Sequence, residues 1–258
     1  MHTSMNHSGE SPPTATNRPL AILIVLLLAG WLLRTGGVCR PVEAERSVHP
    51  GINREYQNPD IPRWMGRFES ESREIYEHRD RIVADVLAGP RGLALARGEI
   101  AIADIGAGTG FFSMLFGTAV GSHGRVYSVD IVPEFLELIR ERSEKEGLNN
   151  IATVLCSERD VRLPPESIDL AFVCDTYHHF EYPRSTLASI FRALRSGGEL
   201  VIIDFHRIEG VSRPWIIEHV RCDQQTVIEE VIAAGFEPDE SPDADYLEEN
   251  YFLRFRKP

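Results

Sequence analysis

Cysteine, positive charge and long apolar runs are all scarce in this 258-residue chain, and each shortage removes a class of protein. The 4 cysteines, Cys39, Cys156, Cys174 and Cys222, lie far apart with no C-x-x-C pair, which argues against a disulfide scaffold. Cys156 and Cys174 fall in apolar, strand-like runs and read as buried thiols. Lys and Arg total 27 against 39 Asp and Glu, a formal net charge of −12. An acidic body is a poor match for a phosphate backbone, so a nucleic-acid partner is not expected. No internal repeat suggests a solenoid or array. No apolar run reaches the roughly 20 residues that a spanning helix needs; the longest, Leu20 to Leu33, has 14.

That run organises the amino terminus. Residues 1–17, rich in Ser, Thr, Pro, Asn and His, are too polar to bury much and read as disordered. Residues 18–45 read as a signal peptide or membrane anchor: Arg18 and Arg34 bracket the aliphatic run, and Val42-Glu43-Ala44 has the small-x-small look of a cleavage site. The chain is therefore expected to be membrane-anchored or exported, and cytoplasmic if this segment is not a targeting signal. Residues 46–63, punctuated by Pro50, Gly51 and Asn58, read as a linker. In residues 64–97, Trp64, Phe68, Ile75, Ile82, Val83, Val86 and Leu87 recur near helical spacing among charged residues. An amphipathic helical segment follows, placed to act as a lid or simply to present a solvated face.

The informative stretch is Ile100-Ala101-Ile102-Ala103-Asp104-Ile105-Gly106-Ala107-Gly108-Thr109-Gly110-Phe111-Phe112. An apolar run, an acid, three alternating glycines and a new apolar period read as strand, tight turn and helix. Glycine permits positive φ and close backbone approach, and the helix start offers unpaired N–H groups. A dinucleotide fingerprint would need its third glycine where Phe111 stands, so the pattern is D-x-G-x-G-x-G. Arg125 to Asp130 is a second strand ending in an acid, one βαβ unit away, where it can accept both hydroxyls of a ribose. Pro133 opens a helix that stops near Gly147. Ile151 to Cys156 is a third strand, followed by Ser157-Glu158-Arg159-Asp160 and Leu163-Pro164-Pro165-Glu166-Ser167-Ile168-Asp169. Leu170 to Cys174 is apolar throughout, as a central parallel strand requires, and runs into Asp175-Thr176-Tyr177-His178-His179. Leu194-Arg195-Ser196-Gly197-Gly198-Glu199 leads into a further apolar strand ending at Asp204, with His206 close by. Residues 207–222 insert Arg213, Trp215, Glu218, His219 and Arg221, and the chain closes on a hairpin of Phe236-Glu237 with Asn250 to Arg256.

Over residues 98–258 this order of motifs resembles the class I S-adenosylmethionine-dependent methyltransferases. The resemblance implies an α/β, Rossmann-like sheet of seven strands, mostly parallel with the last antiparallel, and helices on both faces. It implies S-adenosyl-L-methionine as cofactor, a small-molecule methyl acceptor and no metal ligands in the leading reading. Gly106, Ala107, Gly108 and Gly110 would hold the methionine moiety and Asp104 brace the turn. Asp130 would clamp the ribose beside Ile131, and Glu158 or Asp160 would meet the adenine amino group. Asp175, Tyr177 and His178 would face the acceptor, with His179 as a packing residue and the 207–222 insertion as a cap. Three other readings stay open: a metal-assisted O-methyltransferase using Asp175, Asp204 and His206, a non-catalytic cofactor-binding module, and an NAD-dependent oxidoreductase.

Fractionation of cells expressing the full chain checks the amino-terminal reading. The protein should pellet with membranes or leave the cytoplasm; a wholly soluble product with an intact amino terminus would contradict it.

Overall fold

The computed structural model describes residues 44–89 and 100–258, of which 45–258 make one compact unit. Leu20 to Leu33 and Cys39 lie outside the described residues, as does the stretch 90–99. Among the described residues no helix is long and apolar enough to cross a membrane.

Seven strands form one sheet in the order β3-β2-β1-β4-β5-β7-β6. They are β1 (Ala101–Ile105), β2 (Arg125–Asp130), β3 (Ile151–Leu155), β4 (Ile168–Cys174), β5 (Leu194–Phe205), β6 (Glu237–Pro238) and β7 (Asn250–Arg256). The pairs among β1 to β5 are parallel, while β7 runs antiparallel to β5 from Glu199↔Arg256 to Phe205↔Asn250. The fold expected from the motif order is therefore the one observed, with β6 reduced to two residues at the edge. The central strands are apolar throughout because helices cover both faces. One face packs Ile105, Val173, Leu187, Ile190 and Val231, and the other packs Ile82, Phe112, Phe116, Phe172 and Val201.

The helices are α1 (Ile61–Phe68), α2 (Glu74–Glu77), α3 (Arg79–Leu87), α4 (Phe111–Val120), α5 (Pro133–Glu146), α6 (Pro183–Ala193), α7 (Pro214–His219) and α8 (Gln224–Ala233). Proline in the first turn starts α1, α5, α6 and α7, where its missing N–H costs nothing. Strand order reverses between β1 and β4, both of which leave β2 and β5 as outer neighbours. The crevice at such a reversal, beyond the carboxyl ends of the strands, is where open α/β sheets bind ligands.

The stretch 46–63 is not a linker. Ser47 Oγ donates to Glu181 at 2.8 Å, the Gly51 N–H to the same carboxylate at 3.0 Å, and Asn53 Nδ2 to the His179 carbonyl at 3.2 Å. Its Tyr56 ring packs on Trp64 at 4.7 Å between centroids, and Trp64 on Phe68 at 5.0 Å. Proline and glycine there mark turns in a docked segment, a use that composition alone does not separate from a free linker.

Helix α3 is tied to the far edge of the sheet by a buried ion pair. Arg254, 3% exposed, pairs with Glu199, 1% exposed, and donates to the Asp85 carbonyl at 2.8 Å at the end of α3. Removing the guanidinium strands a carboxylate in the interior, so Arg254→Met should cost about 3–5 kcal/mol. Denaturant unfolding measures it, and the double variant Arg254→Met/Glu199→Leu should recover most of the loss.

Candidate functional site

Four adjacent parallel strands each carry an aspartate at or just past the carboxyl end: Asp104 on β1, Asp130 on β2, Asp175 after β4 and Asp204 on β5. At β1 the chain turns through Gly106, Gly108 and Gly110, all at positive φ (71°, 53° and 81°). A Cβ on Gly106 would lie 2.2 Å from Thr176, and one on Gly110 would lie 2.5 Å from Ile139. Gly106 and Gly108 line the crevice between the strand ends, whereas Gly110 starts α4 against Ile139 and lines none of the described cavities. Ala107 and Asp104 line the adjoining recess. Asp104 accepts the Ser113 hydroxyl at 2.6 Å, and Ser128 donates to Ser113 in turn at 2.7 Å. Burial, only partly offset by that hydroxyl, pushes the Asp104 carboxyl up to about 7.

Asp130 holds the glycine turn and the next helix together. One carboxylate oxygen accepts the Gly108 N–H at 2.8 Å and the other the Val132 N–H at 2.9 Å. Its pKa still rises to about 6, because burial outweighs the backbone donors. Asp130, Ile131, Val132, Phe135, Cys156, Ser157 and Glu158 line one side of the crevice. Asp160 does not reach it: its carboxylate faces Arg192 at 3.0 and 3.1 Å on the exposed side of the loop. Of the two acids expected near an adenine, only Glu158 is brought to the cavity.

After β4, Asp175 sits at φ 47°, a left-handed conformation uncommon outside glycine that aspartate tolerates better than most residues. Its carboxylate is held by Arg73 and by Asn250 Nδ2, yet burial raises its pKa to about 6. The next residues, Tyr177–His179, form a 3₁₀ turn. Three residues per turn send three successive side chains in three directions. Tyr177 turns inward, fully buried, and donates to Glu230 at 2.7 Å, itself clamped by Arg221. It lines none of the described cavities, so the expectation that it faces an acceptor is corrected here. His178 and His179 both face a second cavity, and His179 lines the first as well. The view of His179 as mere packing is thereby corrected too.

The second cavity is lined by Arg67, Arg73, Arg213, Trp215, His178, His179 and His219, among others. Within it His178 Nδ1 lies 2.7 Å from Asp204 Oδ1, and the His178 backbone N–H donates to Asp204 Oδ2 at 3.0 Å. Burial and the neighbouring imidazoles hold His179 well below the usual histidine range and bring His219 down to about 4. Among the described residues, Asp175, Asp204 and His206 do not form a convergent ligand set: Asp204 serves His178, and Asp175 serves Arg73 and Asn250.

The amino-terminal segment closes both cavities. Phe68 borders each of them and the Asp104 recess, and approaches Gly108 so closely that a Cβ there would sit 3.2 Å from its ring. Glu69 accepts the Thr109 hydroxyl at 2.7 Å and pairs with Arg142. Asn53, Tyr56, Phe68 and Arg73 were not singled out as site residues from sequence. Their signal was an aromatic cluster within a charged segment, which gives no indication of what it covers. Thr176, next to Asp175, also lines the crevice, with its hydroxyl donating to the Cys174 carbonyl at 2.9 Å.

Comparison with known proteins agrees with the fold. Residues 103–202 match the family model described as a methyltransferase domain. The ubiquinone/menaquinone biosynthesis C-methyltransferase UbiE of Bordetella parapertussis is 28% identical over 117 residues, 45% of either chain. The protein of the same name from Burkholderia mallei is 23% identical over 165 residues, 62% of this chain and 68% of that one. The match to the Bordetella relative thus spans less than half of its length. Among solved structures, a SAM-dependent methyltransferase from Aquifex aeolicus aligns with a TM-score of 0.64 at 22% identity, over 78% of this chain and 100% of that chain. The [4+2]-cyclase SpnF aligns at 0.57 with 15% identity, over 96% and 98%. At these identities the likeness is one of fold, and a fold that also appears in a cyclase does not by itself fix the reaction.

Proposed function

We propose that this chain is a class I S-adenosylmethionine-dependent methyltransferase that transfers a methyl group from S-adenosyl-L-methionine to a small-molecule acceptor, a reading supported by its domain match and its sheet. The observation that carries the reading is the junction of two cavities: the crevice at Gly106, Gly108 and Asp130 and the arginine- and histidine-lined cleft share Tyr56, Phe68, Asp175 and His179 as a common wall. A donor in the first would meet an acceptor in the second across that wall.

The crevice fits the cofactor on three counts. Gly106 and Gly108 keep the backbone bare where a ligand must approach closely. Asp130, with each oxygen already fixed by a backbone N–H, keeps further lone pairs for a pair of ribose hydroxyls. Glu158 stands beside Cys156 and Val161, a mixed polar and apolar wall suited to an adenine. The cofactor supplies a methyl group on a sulfonium sulfur, which leaves in a direct displacement. The protein's task is then to hold the acceptor in line and keep water out, an effect of position rather than of covalent chemistry. Phe68 and Tyr56 exclude water from above. Asp175, anchored by Arg73 and Asn250, fixes the wall between the two cavities. His178 presents its ring to the cleft, and Arg67, Arg73 and Arg213 line it together with Glu74, Asp175 and Glu249, a charge-balanced wall suited to a strongly polar acceptor.

The relatives named for quinone biosynthesis act, by their names, as C-methyltransferases; for this chain the methyl-accepting atom follows from the acceptor, which a screen with labelled cofactor would identify. From the Leu20 to Leu33 run, the reading extends to an enzyme carried on or across a membrane.

Two substitutions test the division of labour. Asp130→Ala should weaken cofactor binding by about 1.5–3 kcal/mol, the scale of hydrogen bonds to a charged group. Calorimetry on the folded variant reads it, and an unchanged affinity would remove Asp130 from the site. His178→Ala should leave that affinity intact and lower turnover of the identified acceptor by about 10²-fold or more. Wild-type turnover in that variant would take His178 out of the chemistry.

A further inference from the structure

The cleft contains a feature that methyl transfer by positioning does not require. Three imidazoles from two separate elements converge there: His178 and His179 from the turn after β4, and His219 from the last position of α7. Each offers a ring nitrogen, and the three nitrogens lie within 4.8 Å of one another. His179 Nε2 and His219 Nε2 are 3.4 Å apart. Two ligands on a tetrahedral zinc-like ion, each at about 2.0–2.1 Å from the metal, are separated by about 3.4 Å.

Asp204 decides the tautomer of the first imidazole. An ionised carboxylate only accepts, so the 2.7 Å contact puts the hydrogen of His178 on Nδ1 and leaves a lone pair on Nε2. Asp204 is itself fixed by the backbone N–H groups of His178 at 3.0 Å and Phe205 at 2.8 Å. A carboxylate behind a histidine in this way is the usual outer partner of a metal-binding imidazole. His179 is left without satisfying partners: its Nδ1 is buried with no hydrogen bond, and its Nε2 has only contacts of 3.4 Å, to Tyr56 Oη and to His219. Aromatic rings enclose the group, with Phe205 5.9 Å from His178 and Tyr56 5.4 Å from His179 between centroids. Such a lining raises the worth of any charge–lone-pair contact made inside it.

We propose that His178, His179 and His219 bind a divalent transition-metal ion of the zinc class, with Asp204 as the orienting partner behind His178 and a fourth coordination position left to the acceptor cleft. Three neutral nitrogen donors with no carboxylate among them favour zinc or its transition-metal neighbours over magnesium or calcium. Three protein ligands rather than four are the mark of a site that keeps a position for an exchangeable ligand. All three histidines line the same cavity as Arg67, Arg73 and Arg213. On the methyltransferase reading above, that exchangeable ligand is an oxygen or sulfur atom of the acceptor, held at its reactive end by the ion and at its periphery by the polar cleft wall.

The test uses the full chain, purified without a polyhistidine tag. Elemental analysis should find about one equivalent of metal. After chelation, titration with cobalt(II) should produce the strong visible absorption of a four-coordinate imidazole site, saturating at one equivalent. His219→Ala should abolish that equivalent while cofactor affinity measured by calorimetry stays within twofold. Asp204→Asn should weaken metal binding about 10–100-fold, and His206→Ala, outside the trio, should bind as the wild type does. The proposal is overturned if the folded wild-type chain takes up no cobalt(II), or if His219→Ala retains the full equivalent. The metal readout involves neither cofactor nor acceptor, so its failure leaves the methyltransferase reading standing, and failure of cofactor binding leaves the metal site standing.

Discussion

The structure depends on one electrostatic constraint: aspartates at the ends of four neighbouring parallel strands are removed from water along one edge of the sheet. A buried carboxylate is tolerated only if something answers its charge, and each of the four has a different answer. Asp104 has the Ser113 hydroxyl, and Asp130 has the N–H groups of the glycine turn and of Val132. Asp175 has Arg73 and Asn250, and Asp204 has a histidine and two backbone N–H groups. For Asp104, Asp130 and Asp175 the answer is incomplete, since their pKa values rise to about 7, 6 and 6. A row of under-compensated acids is a standing attraction for a cation, and a sulfonium ligand is one.

The amino-terminal segment follows from the same constraint. Arg73 reaches into the crevice from a segment that also lays Tyr56 and Phe68 over the opening. It is pinned at three further points: Glu69 to Thr109 and Arg142, Glu74 to the backbone N–H groups of residues 248–250, and Ser47 and Gly51 to Glu181. Part of the charge balance of the site is thus supplied by residues that precede the sheet in sequence.

The sheet was legible because local rules write it: strand ends, glycine turns and first-turn prolines recur at the spacing the topology demands. The placement of Gly106, Gly108, Asp130 and Glu158 around one cavity was legible for the same reason, since a strand's carboxyl end fixes where the next few residues lie. What the sequence concealed was direction and distance. The 3₁₀ turn exchanges the expected placements of Tyr177 and His179, because one residue of rotation decides between core and cleft. Asp160 lies two residues beyond Glu158 and is drawn outward by Arg192. His219, forty or more positions from its partners in the cleft, carries no local mark of where it goes, and the docked segment 46–63 has the composition of a linker.

Proton linkage tests the central claim most directly. Burial raises the carboxyls of Asp104 and Asp130 to about 7 and about 6 in the ligand-free chain, so a bound cation should lower their pKa values and drive protons off. Calorimetry near pH 6.5, in buffers of different ionisation enthalpy, counts those protons. S-adenosylhomocysteine shares every group of the cofactor except the charged sulfonium, so the difference between the two ligands isolates the effect of the cation. The account requires S-adenosylmethionine to release more protons than S-adenosylhomocysteine; equal release, or uptake, would contradict it.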